Sequence, residues 1–386
     1  MNVTHVRSLK QLDANFQHNE GRSDLEWVDA FDERIEIQGL GWPLENRAER
    51  HFRRLPERLV SGFSDGVQII SRCPAGACLS FVSNSPDISV RIVLADCEWV
   101  EHMPATGMAG VELFIREGSR WYAAAVAKPS LSEKMFTRSL LENAPPIFRE
   151  CRLYLPLYKE VTSVAVGFSA NAEIRPAPSR ETTRPIVFYG TSITQGGCAN
   201  TPGSDYVSQL GRLLDREMVN LGFSGNGRGE PEVAKAINEI NAEACVLDYV
   251  ANADLDLLKA TLPEFVAILR SRHPSVPIIL LGNIPCDQSL WDKHCRDTLE
   301  EKRDFIMTYY LACKRDGDPN IHFLDGHGLL PIGQSGVFVD GVHPTSFGFA
   351  IMAERLAPQL SRILLWESVR HQPLKFAHPK PDNPSL

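Results

Sequence analysis

Residues 186–194 read Ile-Val-Phe-Tyr-Gly-Thr-Ser-Ile-Thr, an apolar run of strand length that stops at a glycine and gives way to small hydroxylated residues. A short unbroken apolar run bounded by a turn signal is the pattern of a strand buried on both faces. Downstream, strand and helix patterns keep alternating. A helix is expected over 206–217, a strand over 219–223 and a helix over 230–240. Further strands are expected over 245–250, 277–281 and 321–324, with helices near 255–272, 298–314 and 346–364. Five strands separated by helical crossovers imply an α/β domain, spanning 186–370, whose parallel sheet is covered on both faces. Ligands of such sheets sit beyond the carboxyl ends of the strands.

Upstream, the pattern is different. From about residue 28 to residue 168 the short runs IEIQ, VQIIS, LSFVS, ISVRIVL, VELFIR, WYAAAVA, CRLYLPL and VTSVAVGF recur between Gly, Pro, Asn and Asp turn signals. That spacing reads as an all-β sandwich. The sandwich domain is assigned to 1–175, its first 25 or so residues an extension. The segment 173–185 holds three prolines and three arginines without apolar periodicity, so 176–185 is expected to be a linker. The Pro-rich end, 371–386, is expected to be a loosely attached tail.

The chain has 386 residues, 43% of them hydrophobic, and a net charge of −8. That length is ample for two packed domains. The acidic balance leaves no broad basic surface for nucleic acid or an anionic membrane. No apolar run approaches the ~20 residues of a membrane span, and residues 1–20 lack the apolar core of a secretory signal, so a cytoplasmic location is expected. Nine cysteines, an odd number spread through apolar segments, read as reduced and mostly buried thiols. No CxxC pair or His/Cys cluster has zinc-ligand spacing, so neither metal nor cofactor is expected.

Chemistry concentrates at four strand ends. Ser192 follows the glycine-led turn of the first parallel strand, where its hydroxyl is placed as a nucleophile and its N–H as an oxyanion donor. Serine after a strand is also a common helix cap. Asp340 and His343, in Asp-Gly-Val-His-Pro just before the last helix, stand three apart. The carboxylate can then hold one imidazole nitrogen while the other faces the serine. Such a pair also serves simply to cap a helix-entry loop. Gly225, in Asn-Leu-Gly-Phe-Ser-Gly-Asn-Gly, offers a backbone N–H, and Asn252, in Leu-Asp-Tyr-Val-Ala-Asn, an amide to the same oxyanion. Each segment alone has an ordinary structural reading; four at one end of one sheet make a pocket.

These blocks resemble the SGNH hydrolases, or GDSL-like esterases, whose signature residues map to Ser192, Gly225, Asn252 and the Asp340/His343 pair. Thr191 replaces the family's usual aspartate and matches the two-domain subgroup in which YGTSITQGG is typical. That subgroup carries an N-terminal Gly-x-Asp-Leu-Tyr signature, here Gly110-Val111-Glu112-Leu113-Phe114, with Glu112 and Phe114 as departures. Ala251 stands where relatives often have proline. The resemblance covers roughly residues 38–365. It implies a flavodoxin-like three-layer α/β/α domain behind a jelly-roll-like sandwich. It also implies a serine esterase acting on small acyl esters, acetylated carbohydrates first, through a Ser-His-Asp triad and an acyl-enzyme. Acyl transfer with the same residues and an inactive carbohydrate-binding protein are the alternatives, and the oligomeric state stays open.

Other signals compete less well. Gly62-Phe63-Ser64-Asp65-Gly66 matches G-x-S-x-G, but among short β runs it reads as a hairpin turn rather than a strand-to-helix elbow. The GFSGNGRGE stretch lacks the third glycine of a dinucleotide fingerprint. Trp99, Trp121 and Tyr122 are either sandwich core or a stacking face for sugar. Arg228 is either a substrate contact or a solvated charge.

Overall fold

The computed structural model describes residues 24–178 and 184–370. The expected extension before residue 24, the middle of the expected linker and the expected tail lie outside the described residues. The first part holds ten strands: β1 (Glu26–Asp29), β2 (Glu36–Gln38), β3 (Cys78–Ser83), β4 (Ile88–Leu94), β5 (Val111–Glu117), β6 (Arg120–Ala127), β7 (Met135–Leu141), β8 (Arg149–Tyr154), β9 (Val161–Phe168) and β10 (Ile174–Pro176). One antiparallel sheet has the order β1-β9-β4-β7 and the other β10-β3-β8-β5-β6, with β2 beside β3. Alternate residues point inward, Val90 and Ile92 with Val164 and Val166 from one sheet, Leu79 and Phe81 with Leu113 and Leu153 from the other. This period-2 burial closes a sandwich core.

The second part holds β11 (Ile186–Gly190), β12 (Met218–Gly222), β13 (Ala244–Asp248), β14 (Ile278–Leu281) and β15 (Ile321–Leu324) in one parallel sheet of order β12-β11-β13-β14-β15. This is the flavodoxin-like order. Val187, Tyr189, Leu221, Cys245, Leu247, Ile278 and Leu280 face a layer that includes the helices Pro231–Ile237 and Leu255–Arg272. Phe188, Val246, Ile279 and Leu281 face the helices Tyr206–Leu214 and Ser346–Arg370. No described helix is long and apolar enough to cross a membrane.

Three local expectations are corrected. VQIIS is no strand: Asp65–Ile70 is a helix entered at Ser64, and its Val67 and Ile70, three apart, both pack against the core of the parallel sheet. Gly62–Gly66 is accordingly a 3₁₀ turn running into that helix, not a hairpin, and still no parallel strand precedes it. Pro176, placed in the expected linker, ends β10 and pairs with Phe81 of β3. Within the span assigned to the β domain, Trp42, Leu55, Phe63 and Val67 are buried in the core of the parallel sheet.

The domains interlock through buried polar contacts. Arg54, 1% exposed, donates to the carbonyls of Ile70 (2.8 Å), Cys73 (2.7 Å) and Asn220 (3.3 Å) and to that of Gly222. Glu112 of the Gly-x-Asp-Leu-Tyr-like block accepts from the Gly203 N–H at 2.8 Å, and burial, opposed by the Thr201 and Gly203 donors, pushes its carboxyl up. The Gly39 N–H donates to Glu217 at 2.9 Å.

Candidate active site

Ser192 opens a one-turn helix, Ser192–Gln195, at the carboxyl end of β11. Thr191, in the place of the family's aspartate, caps it: its hydroxyl accepts from the Ile193 N–H (3.2 Å), and its own N–H donates to the Thr194 hydroxyl (3.1 Å). The Ser192 carbonyl accepts from Gly196 (3.0 Å), Gly197 (2.7 Å) and the Tyr158 hydroxyl (3.3 Å). These bonds fix the turn from both domains and leave the side chain, in a residue 8% exposed, to face one partner.

That partner is His343, whose Nε2 is 2.9 Å from Ser192 Oγ across 151 positions of sequence. His343 Nδ1 is 2.7 Å from Asp340 Oδ2. Asp340 Oδ1 accepts from the Val342 N–H (3.0 Å) and the His343 N–H (2.8 Å), so the carboxylate is aimed by its own loop. Burial pushes the Asp340 carboxyl up, but the His343 N–H, the imidazole and the Val342 N–H outweigh it and bring it down to about 2. A charged carboxylate there favours the proton on Nδ1 and leaves the Nε2 lone pair toward the serine.

The turn after β12 carries Gly225 in the left-handed region, φ 68°, where an added side-chain carbon would meet nothing within 4 Å. The Ser192 and Gly225 N–H groups have no acceptor among the described residues. Arg228 is exposed and donates to the Gly225 carbonyl at 3.1 Å, which fixes that peptide. The turn is pressed onto β11, since a side-chain carbon at Gly227 would sit 2.0 Å from the Gly190 carbonyl oxygen. Asn252 ends a 3₁₀ turn (Val250–Asn252) that forms with alanine at 251, and its amide donates to the Phe223 carbonyl at 3.4 Å. The two loops expected to supply oxyanion donors thus touch each other at β11's end.

Several nearby groups carried no signal in the sequence reading. Tyr158 comes from the β domain. Gln195 bridges the domains, donating to the Leu157 carbonyl and accepting from the Ser224 N–H, both at 3.0 Å. Asp248 accepts from the Thr194 (2.8 Å) and Tyr206 (2.7 Å) hydroxyls under the Ser192 turn, and burial pushes its carboxyl up to about 7 against those donors. The His102 ring lies 5.7 Å from that of His343. Position was the only hint for Gln195 in the TSITQ block, for Asp248 in LDYVAN and for His102 in the stretch His102–Gly107 that precedes the Gly-x-Asp-Leu-Tyr-like signature; Tyr158 had none. Of the aromatic residues considered for sugar stacking, the Trp121 ring is covered by the Arg152 guanidinium at 4.1 Å, Tyr122 is half exposed beside it, and Trp99 donates to the Leu131 carbonyl.

Comparison with known proteins follows this geometry. The GDSL-like Lipase/Acylhydrolase family model matches residues 183–361, and the model for the N-terminus of the SGNH-hydrolase-type esterases matches 25–174. A crystal structure described as that of a GDSL-like lipase from Bacteroides ovatus is 29% identical, covers 88% of this chain and 98% of its own, and superposes with a TM-score of 0.81. The salicylyl-acyltransferase of a tetracycline biosynthetic pathway shares the fold at 19% identity, with a TM-score of 0.69 over 89% of this chain and 98% of that one. So does a family two carbohydrate esterase from Clostridium thermocellum, solved with cellohexaose, at 16% identity and a TM-score of 0.52 over 76% of this chain and 94% of that one. A search of curated protein sequences found no match. With one family model on each domain and a two-domain relative superposing over nearly its whole length, the chain belongs to the SGNH, or GDSL-like, hydrolases in their two-domain form and is an esterase of that family.

Proposed function

We propose that the protein hydrolyses small acyl esters, acetyl esters of carbohydrates first among them, by a Ser-His-Asp mechanism. The observation that carries this reading is the unbroken relay Ser192 Oγ, His343 Nε2, His343 Nδ1, Asp340 Oδ2, with links of 2.9 and 2.7 Å. Ser192 attacks the acyl carbonyl while His343 takes its proton, and Asp340 holds the tautomer and steadies the imidazolium. The N–H groups of Ser192 and Gly225 and the amide of Asn252 receive the oxyanion. His343 returns the proton to the departing alcohol, and water then releases the acid from the acyl-enzyme by the same route. Acetylated sugar is chosen as substrate on the family resemblance, and the carbohydrate esterase of the same fold is in keeping with it.

The test compares p-nitrophenyl acetate hydrolysis by wild type and Ser192→Ala, followed by a screen of acetylated mono- and oligosaccharides for released acetate. Loss of turnover by at least about 10³-fold in the alanine variant is expected, because the nucleophile has no substitute. Equal rates would remove Ser192 from the reaction, and a sugar screen without acetate release would remove the carbohydrate part.

A further inference from the structure

The geometry points to a regulatory zinc site laid over the catalytic base: His102, Cys198 and His343 would together bind Zn²⁺ and thereby switch the esterase off. The inference rests on His343 being the base of the proposed reaction. The three ligating atoms lie within 4.8 Å of one another and come from three segments no spacing rule would join: the β-domain loop after β4, the turn after the nucleophile helix and the loop before the last helix. Donor atoms around tetrahedral zinc stand about 3.3–3.6 Å apart, from Zn–N near 2.0 Å and Zn–S near 2.3 Å, so the cluster needs to close by about 1 Å. His102 is exposed and free to make that movement, and it gives the ion a way in from solvent.

The supporting shell is already present. Asp340 holds His343 Nδ1 at 2.7 Å, the carboxylate–imidazole pairing that backs zinc-binding histidines and leaves Nε2 as the ligand atom. Cys198 is buried on a left-handed backbone, φ 69°, costly for a residue with a side chain, and its sulfur makes only a long 3.6 Å contact to the His102 carbonyl. The turn before it lies against the base: a side-chain carbon at Gly197 would be 3.4 Å from His343 Cδ2. One thiolate and two neutral imidazoles suit zinc and exclude magnesium or calcium, which take oxygen ligands. Binding displaces the thiol proton to solvent, forms one Zn–S and two Zn–N bonds and leaves water in the fourth position. It also consumes the Nε2 lone pair that would accept the Ser192 proton, so metal and turnover exclude each other.

The full chain, stripped of metal, is titrated with Co²⁺ alone and read by the thiolate-to-cobalt charge-transfer band in the near ultraviolet. One equivalent should bind in wild type and equally in Ser192→Ala, which keeps all three ligands without turnover. The band should vanish in Cys198→Ser, or in Cys198→Gly if serine does not tolerate the backbone, and affinity should fall at least about 10-fold in His102→Ala, since even outer-shell losses cost 10- to 100-fold. In the ester assay, Zn²⁺ at about ten times its dissociation constant should reduce the rate to about one-tenth by mass action, reversibly on chelation. Each variant is compared with its own metal-free rate, and both substitutions should blunt the inhibition. A band unchanged in the Cys198 variants, as from cobalt at the thiols of Cys286 and Cys295, whose sulfurs lie 3.3 Å apart, or zinc inhibition unchanged in both ligand variants, overturns the site. The Ser192→Ala band separates that outcome from failure of the catalytic reading, because it reports metal without turnover.

Discussion

Replacing Asp340 by asparagine takes a charge from the site and leaves its shape nearly untouched. Oδ1 of Asp340 is fixed by two backbone donors, Val342 N–H at 3.0 Å and His343 N–H at 2.8 Å. An asparagine there must offer its carbonyl oxygen to those donors, which turns its NH₂ toward His343 Nδ1, 2.7 Å away in the native pair. The amide then donates where the carboxylate accepted. The imidazole proton is driven to Nε2, and an N–H points at Ser192 Oγ in place of the lone pair. In serine proteases the same exchange costs about 10⁴ in kcat through the wrong tautomer. Here the Asp340 side chain is 37% exposed, so solvent softens the electrostatic part. We expect a fall of about 10³ in kcat, about 4 kcal/mol of barrier at 1.36 kcal/mol per decade, with KM little changed. Asp340→Ala makes the comparison sharper. Water can take the place of the carboxylate and leave either tautomer accessible, so alanine should lose less activity than asparagine while the loop, without its acceptor, loses about 1 kcal/mol of stability. Steady-state kinetics on p-nitrophenyl acetate and thermal melts of both variants decide the matter. Asparagine within tenfold of wild type, or alanine more damaging than asparagine, refutes the tautomer argument.

Asn252→Ala should lower kcat about 10²- to 10³-fold at near-constant KM, as loss of one oxyanion donor does, and an effect confined to KM would place the amide on the substrate's ground state instead. Arg54→Met should lower the urea midpoint by the equivalent of about 3 kcal/mol, because buried carbonyls of Asn220 and Gly222 lose their donor at about 1–3 kcal/mol each; a loss below about 1 kcal/mol would contradict that accounting. Asp248, pushed up from 3.8 to about 7 by burial, binds its proton more tightly folded than unfolded. Its contribution to stability is therefore greatest below pH 4, falls as pH rises toward 7 and is spent above it. Denaturant midpoints of wild type should decline over that window, and Asp248→Asn, which cannot ionise, should flatten the decline; parallel curves for the two proteins would count against it.

The parallel sheet was legible because its strands are mainly apolar runs too short for a helix, and the polar Asn220 and His322 interrupt only two of them. The β domain was legible in outline only. Strand β7 (Met135–Leu141) escaped because Thr137-Arg138-Ser139 breaks its apolar alternation. In the fold Arg138 is buried by donating to the Lys128 and Thr137 carbonyls, a satisfaction that exists only after folding. VQIIS misled in the other direction, since β-branched residues favour strands until packing three apart against another domain outweighs propensity. At the site, Asp340 and His343 could be paired from sequence because three residues of loop hold them together. Ser192 could be joined to them only on the assumption that the strand ends share one side of the sheet. Tyr158, His102 and Gln195's bridging role depend on which face of a separate domain abuts the Ser192 turn, and nothing in local periodicity encodes that.

The grip of residues 39–158 on the hydrolase sheet bears on how such a protein can change over evolutionary time. The turn that presents the serine is held by a phenol and a main-chain carbonyl from the β domain, and the neighbouring strand β12 by an arginine fork. Recombination that carried the α/β half into a new gene by itself would strip Trp42, Leu55 and Phe63 from its flank and leave the Ser192 turn unbraced. The two halves therefore depend on each other for their packing.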